Sequence, residues 1–145
     1  ALQGAVATAF PYKNPLYTLS EVYAETRLGA SMQSFLSGYE DPRIGVYFNL
    51  STITGRTNEY HGIRSGINVT RGLYQPFSTL NTVDASPYPW LLSSEVYFLL
   101  AEGSIRGWNM GGTANAFYEA GVRAAFQESG VAIPATYLTN STSRP

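Results

Sequence analysis

Between residues 88 and 130, two stretches with helical spacing follow each other across a short glycine-rich turn, an arrangement found nowhere else in the chain. The apolar positions of the first stretch are Val96, Leu99, Leu100 and Ile105. Those of the second are Phe117, Ala120, Gly121, Ala124 and Ala125, with Val122 and Phe126 on a flank. The pattern predicts an antiparallel helix pair over 93–106 and 113–129, with Phe117 packed against the small residues of the first helix.

Residues that favour helix starts and helix ends lie at the boundaries of both predicted helices. Ser93 or Ser94 can cap the first helix and Thr113 the second, and Gly130 suits a left-handed C-cap. Small residues in both helices indicate close packing of the tetratricopeptide type: Gly103, Ser104, Ala120, Gly121 and Ala124. One such pair cannot bury both of its faces, so the pattern predicts further helices elsewhere.

Composition excludes several classes of function. The chain has 145 residues, a length typical of one domain, and a net charge of −1 with no basic patch for a phosphate backbone, so we expect no nucleic-acid partner. It has no cysteine, which removes disulfides, thiol nucleophiles and cysteine metal sites. No apolar run is long enough to span a membrane. Aromatic residues make up 14% of the chain, including 11 tyrosines, while charged residues make up only 13%, which favours an uncharged or small ligand.

The rest of the chain alternates short helical and irregular patterns. Residues 1–18 contain two prolines among aromatics and predict an irregular segment. Residues 18–39 predict helix in two parts, the second capped by Ser31 and ended by Gly38. A turn follows at 40–43, and then an apolar run, IGVYFNL, that predicts an extended segment. Residues 51–86 are polar and weakly periodic, and a loop of that length is usually functional or mobile.

This loop supplies the candidate binding residues. Sugar rings present apolar faces that stack on aromatic side chains, and their hydroxyls bind planar polar groups. The candidates in or beside the loop are Tyr60, Tyr74 and Tyr88 for stacking, with Arg64, Asn58 and Asn68 for hydroxyls. Trp90 and Trp108 flank the first long helix and are interpreted as packing residues at its ends.

No catalytic, metal or cofactor site is predicted. Glu95 and Glu102 lie on one face of one helix, whereas a glycosidase needs carboxylates on opposite sides of the sugar. His61 is the only histidine, so no histidine pair can bind zinc. The glycines near it do not form a nucleotide-binding fingerprint, since no strand precedes them and no helix follows.

Three blocks resemble the SusD/RagB family of outer-membrane nutrient-binding lipoproteins, in particular its starch-binding, outer-membrane-associating branch. They are SMQSFLSGYEDPRIGVYF, the loop with YHGIRSGI, and SEVYFLLAEGSIRGW followed by ANAFYEAGVRAAFQESGV. The resemblance implies a mainly α fold, a SusD-like tetratricopeptide-type α-α superhelix with long irregular loops. It also implies a non-enzymatic protein that captures oligosaccharide or another nutrient for a SusC-like TonB-dependent transporter at the outer membrane, held there by a lipid anchor.

Members of that family are several times longer, so the chain is expected to be a fragment, one partial domain over 1–145. Its parts are a helix, turn and extended run at 14–50, a loop region at 51–88, the helical hairpin at 89–130 and an irregular tail at 131–145. The alternative is a structural or protein-interaction helical repeat that binds no sugar and uses its aromatic residues only in the core.

Overall fold

The computed structural model describes residues 2–4 and 13–139. The elements in chain order are β1 (Leu2–Gly4), α1 (Pro15–Tyr17), a π-helical turn (Thr18–Val22), α2 (Ala30–Gly38), α3 (Ile44–Tyr47), α4 (Arg71–Tyr74), β2 (Tyr88–Leu91), α5 (Ser93–Ile105) and α6 (Ala114–Glu128). β1 pairs with β2 in a two-stranded sheet. The fold is therefore mainly α with long irregular connections, as predicted. Among these residues, no helix has the length and apolar character needed to cross a membrane.

The chain divides into two compact units, one of Ala1–Gly4 with Pro89–Pro145 and the other of Ala5–Tyr88. The first contains the predicted helix pair, α5 and α6, and their close packing confirms it. The Thr113 hydroxyl oxygen accepts a hydrogen bond from the Ala116 N–H at 3.2 Å, so the predicted cap of α6 is confirmed. Gly130 has φ +67°, and the next N–H, from Val131, donates to the Phe126 carbonyl at 3.1 Å. α6 thus ends in the predicted left-handed C-cap.

The contact between the two helices differs from the prediction. The ring of Phe98 on α5 lies against Gly121 on α6, where a Cβ would come within 2.7 Å of it. The Phe117 ring instead lies over Gly112, in the turn before its own helix. The predicted apolar positions of α5 are largely outside the core: Val96, Leu99 and Ile105 are 43%, 64% and 77% exposed. The small residues do permit close approach, but the face assigned to α5 was wrong.

The core of this unit forms around the end of α6. Val122, Phe126 and Tyr137 are buried together, and the rings of Phe126 and Tyr137 meet edge to face with centroids 4.9 Å apart. Val122 and Phe126 had been placed on a flank, which is wrong, because the segment after Gly130 turns back and covers them. The predicted irregular tail is irregular as far as residue 139, and the rest of it lies outside the described residues.

The start of α5 is held by a carboxylate from the other helix. Glu128 Oε1 accepts hydrogen bonds from the Ser93 hydroxyl at 2.6 Å and the Ser94 N–H at 3.0 Å, and its Oε2 accepts one from the Ser94 hydroxyl at 2.6 Å. Burial raises the pKa of the Glu128 carboxyl, but the serine hydrogen bonds outweigh this and hold that pKa below its ordinary value. The prediction that Ser93 or Ser94 caps α5 is wrong, because both hydroxyls donate to Glu128 and the N-cap residue is Leu92.

In the second unit, Leu28, Leu36 and Phe48 form a buried cluster. Several partly buried side chains pack against it: Ile44, Tyr47, Tyr60 and Leu80. Backbone hydrogen bonds tie distant segments across this cluster. The Leu28 N–H donates to the Ser78 carbonyl at 2.8 Å, and the Leu28 carbonyl accepts from the Ile63 N–H at 2.7 Å. The long loop predicted at 51–86 is confirmed as largely irregular, but these bonds anchor it to the core.

Several local predictions in this unit need correction. Residues 15–17 form a short helix inside a segment predicted to be irregular, since Asn14 accepts the N–H groups of Leu16 and Tyr17. Residues 5–12 of that segment lie outside the described residues. Residues 23–29 leave the helix predicted over 18–39, and α2 has Gly29 rather than Ser31 as its N-cap. The run predicted as extended begins with helix α3, and only then does Phe48 form an antiparallel bridge with Leu80.

The turn at 40–43 is confirmed and its aspartate explains it. Asp41 is only 4% exposed, and it accepts hydrogen bonds from the Arg43 N–H at 3.0 Å and from the Arg43 Nη2 at 2.6 Å.

The two tryptophans interpreted as packing residues are instead exposed: Trp90 is 75% exposed and Trp108 61%. The Arg106 guanidinium lies 5.9 Å from the centre of the Trp108 ring.

Candidate functional site

The Ala5–Tyr88 unit has an open cleft of about 440 Å³ on its surface. It is lined by Glu25, Thr26, Arg27, Ile63, Arg64, Ile67, Val69 and Tyr74. Small-molecule sites in proteins occupy roughly 300–1,000 Å³ and combine apolar walls with a few polar groups. In size and lining, this cleft fits a small ligand or part of a longer one.

Its walls come from three segments that backbone hydrogen bonds hold together. The segment 25–27 leads into Leu28, whose carbonyl accepts the Ile63 N–H at 2.7 Å, and the Ile63 carbonyl accepts the Ala30 N–H at 2.8 Å. Gly66, with φ +78°, turns the chain after Arg64 so that residues 67–69 return to the cleft. Main-chain hydrogen bonds thus hold the segments 25–27 and 63–64 of the cleft wall together.

Arg27 fixes the third wall. Its Nε donates to the carbonyls of Tyr74 and Gln75 at 3.2 Å, and its Nη1 donates to the Thr26 carbonyl at 2.7 Å. Its guanidinium carbon lies 5.6 Å from the centre of the Tyr74 ring, within cation–π range. Burial lowers the pKa of the Arg27 guanidinium, which nevertheless remains charged at neutral pH. The Tyr74 ring is therefore held in place before any ligand arrives.

The remaining polar groups of the cleft are unengaged. Within 2–4 and 13–139, the side chains of Glu25 and Arg64 make no hydrogen bond or ion pair. Each is exposed at the rim of the cleft, so each is available to a ligand. The cleft can therefore offer an aromatic face, guanidinium donors and a carboxylate acceptor.

The structure brings together two of the six predicted binding residues, Tyr74 and Arg64. Tyr60 packs against the core cluster around Leu28. Asn58 and Asn68 are exposed but do not line the cleft, and Tyr88 begins β2. That these residues bind a ligand stays a prediction.

Sequence reasoning missed Glu25, Thr26 and Arg27, because helix was predicted through 18–39. A polar interruption, AETR, separates the apolar residues before and after it and was the available indication. In the structure Ala24 adopts φ +55°, which ends the helical path just before these residues.

The acidic residues weighed for catalysis have structural partners. Glu95 accepts the Leu92 N–H at 3.2 Å, and Glu102 pairs with Arg106 on the same helix. His61 Nε2 lies 2.8 Å from a carboxylate oxygen of Glu59. No group of three or more potential metal ligands occurs among the residues that the structure describes. Glu95, Glu102 and His61 thus each contact a residue of their own segment.

Residues 3–145 match a family model described as SusD-like, the SusD and RagB outer membrane lipoproteins. No curated protein has a significant match to this chain.

Several solved structures are similar. A chitin-binding SusD homologue from Flavobacterium johnsoniae is 41% identical, with a TM-score of 0.84, over 95% of this chain and 28% of that one. A SusD-like protein from Bacteroides thetaiotaomicron is 39% identical, with a TM-score of 0.83, over 92% and 28%. A SusD homologue from Bacteroides vulgatus is 37% identical, with a TM-score of 0.83, over 94% and 29%. The chain thus spans less than a third of the length of these structures.

Proposed function

The chain belongs to the SusD and RagB family of outer-membrane lipoproteins, and on that premise we propose that it is part of a cell-surface component that binds glycans for import. The chitin-binding homologue among the similar structures supports a saccharide ligand. The observation that carries the proposal is the cleft whose Tyr74 ring is held by Arg27. A fixed aromatic ring beside polar groups that have no partner among the described residues is an arrangement that suits a sugar.

The remaining parts of this proposal concern the protein that contains the chain. It acts without catalysis, and it hands oligosaccharide to a partner TonB-dependent transporter in the outer membrane. Residues 1–145 belong to one SusD-like domain, since the family model matches 3–145 as a single range. Copurification of such a transporter with the tagged protein from native outer membranes would support the partnership, and its consistent absence would count against it.

Binding is tested by isothermal titration calorimetry of the complete protein with chitohexaose, maltohexaose and xylohexaose. At least one should bind, and Tyr74→Ala should weaken that binding by about tenfold, since aromatic stacking contributes roughly 0.5–1.5 kcal/mol beyond buried area. Tyr23→Ala is the matched control, because Tyr23 is 55% exposed and does not line the cleft. Equal weakening by both variants would place the sugar elsewhere.

One observation favours the alternative, a protein-interaction repeat. Leu99 and Ile105 on α5 are 64% and 77% exposed, although buried aliphatic side chains stabilise helical repeats. Charged substitutions on this face, such as Leu99→Glu, separate the two functions. They would disrupt a protein contact and leave sugar titrations unchanged, whereas Tyr74→Ala would do the opposite.

A further inference from the structure

The charges that line the cleft are not balanced. Arg27 and Arg64 contribute two guanidinium groups and Glu25 a single carboxylate. Two further charged residues act on Arg27, Glu21 and Arg71, and their effects have opposite signs. The cleft therefore keeps an excess of positive charge, although the whole chain carries −1.

The two arginines differ in what they can still bind. Arg27 donates to three backbone carbonyls through its Nε and Nη1 groups and lies on the Tyr74 ring, so part of its donor set is already used and its side chain is held in place. Arg64 makes no hydrogen bond or ion pair with any residue in the described parts of the chain. A guanidinium presents a planar fork of N–H donors whose geometry matches a carboxylate, and such paired bonds are stronger than those to a neutral hydroxyl.

The position of Arg64 favours such a contact. It directly follows Ile63, whose N–H and carbonyl are both tied to the segment 28–30, so the base of its side chain is fixed by the core. Ile67, Val69 and Tyr74 line the same cleft as Arg64. A sugar stacked on the Tyr74 ring would share a cleft of about 440 Å³ with the side chains of Arg64 and Glu25.

We propose that the cleft prefers saccharides that bear a carboxylate, such as hexuronates or sialic acids, and that Arg64 binds the carboxylate. This inference rests on the proposed sugar-binding function and specifies its ligand. It distinguishes Arg64 from Arg27, because Arg64 is the guanidinium of the cleft that has no hydrogen-bond or ion-pair partner among residues 2–4 and 13–139.

The test compares ligands that differ only in charge or in the acidic sugar. Trigalacturonate is titrated beside its methyl ester, and 3′-sialyllactose beside lactose, by calorimetry with the complete protein. At least one acid should bind about tenfold more tightly than its neutral counterpart at low salt, a difference of about 1.4 kcal/mol. The difference should shrink at 0.5 M NaCl, because the contact lies at an exposed rim.

Two variants assign that difference to a residue. Arg64→Gln should remove the preference for the acid, so that the acid and its neutral counterpart bind to this variant within about twofold of each other. Arg56→Gln is the matched control, since Arg56 is an exposed arginine of the same loop outside the cleft. If the neutral ligands bind as tightly as the acids, or if Arg64→Gln weakens both equally, the inference is overturned while sugar binding stands. If no saccharide of either kind binds, both the inference and the proposed function fail.

Discussion

The carboxylate of Glu128 joins the end of α6 to the start of α5, and its removal gives the sharpest test of how the helix pair is held. Three hydrogen bonds end on this carboxylate, two at 2.6 Å and one at 3.0 Å. The carboxylate also lies at a helix N-terminus, where unpaired N–H groups favour negative charge. Glu128→Ala removes all of these interactions and leaves the Ser94 N–H without its acceptor.

The expected loss follows from these contacts. Hydrogen bonds to charged groups contribute about 1.5–3 kcal/mol each. Because the three share one carboxylate that is still partly in contact with solvent, we expect a total loss of about 2–3 kcal/mol. Glu119 is the matched control on the same helix, since it is partly exposed and its ion pair with Arg123 spans 4.0 Å. Glu119→Ala should change stability by less than about 0.5 kcal/mol.

Urea unfolding at pH 7, followed by far-ultraviolet circular dichroism, measures both variants. A double-mutant cycle with Ser94→Ala then isolates the contact, and the Glu128–Ser94 coupling should exceed about 0.5 kcal/mol. If Glu128→Ala costs no more than Glu119→Ala, or if the cycle shows no coupling, the carboxylate does not hold the start of α5 and the reasoning is refuted.

Three further predictions follow from packing and charge. Phe126→Ala should lower the free energy of unfolding by about 3–5 kcal/mol, since Phe126 is 1% exposed. Ile105→Ala, on the exposed face of α5, should lower it by less than about 0.5 kcal/mol. Equal losses for the two variants in urea unfolding would contradict the assignment of Phe126 to the core. Gly62→Ala should destabilise by about 1–3 kcal/mol because its Cβ would meet backbone 2.7 Å away. Gly72→Ala, with open space around it, should be neutral or better in the same assay. Because the pKa of Glu128 is lowered on folding from 4.5, its stabilising effect should be complete above that value and disappear as the pH falls through the folded pKa. Urea unfolding at pH values from 7 to 2 should show the free energies of unfolding of the wild type and Glu128→Ala converging as the pH falls. A difference that stays constant over this range would contradict the prediction.

The helix pair could be predicted because its ends are set by local chemistry. Thr113 and Gly130 act within four residues of themselves, and the sequence shows both partners of each interaction. The inward face could not be predicted, because it depends on distant residues. Phe126 is buried by Tyr137, eleven positions later in an aperiodic segment, and spacing within α6 alone does not contain that contact.

The cleft was predictable in part for a similar reason. Tyr74 and Arg64 lie in a loop without a burial pattern, so elimination placed them among the candidates, together with four residues that do not line the cleft. Arg27 was not among the candidates because helix was predicted over its position. Its role in holding the segment around Tyr74 depends on carbonyls 47 and 48 positions away. The short helix α3 was missed because four apolar residues after a turn fit helix and strand equally well.

The residues that line the cleft are neighbours in sequence of residues that build the core. Arg27 precedes Leu28, which is fully buried, and Arg64 follows Ile63, whose backbone bonds to Leu28. The backbone hydrogen bonds of Leu28 and Ile63 thus fix the main chain beside Arg27 and Arg64, whose side chains line the cleft. Substitutions at Arg64 or Glu25 should therefore change which saccharide is bound at little cost in stability, since both side chains are exposed. Arg27 is the exception, because its hydrogen bonds to the carbonyls around Tyr74 make it part of both the fold and the site.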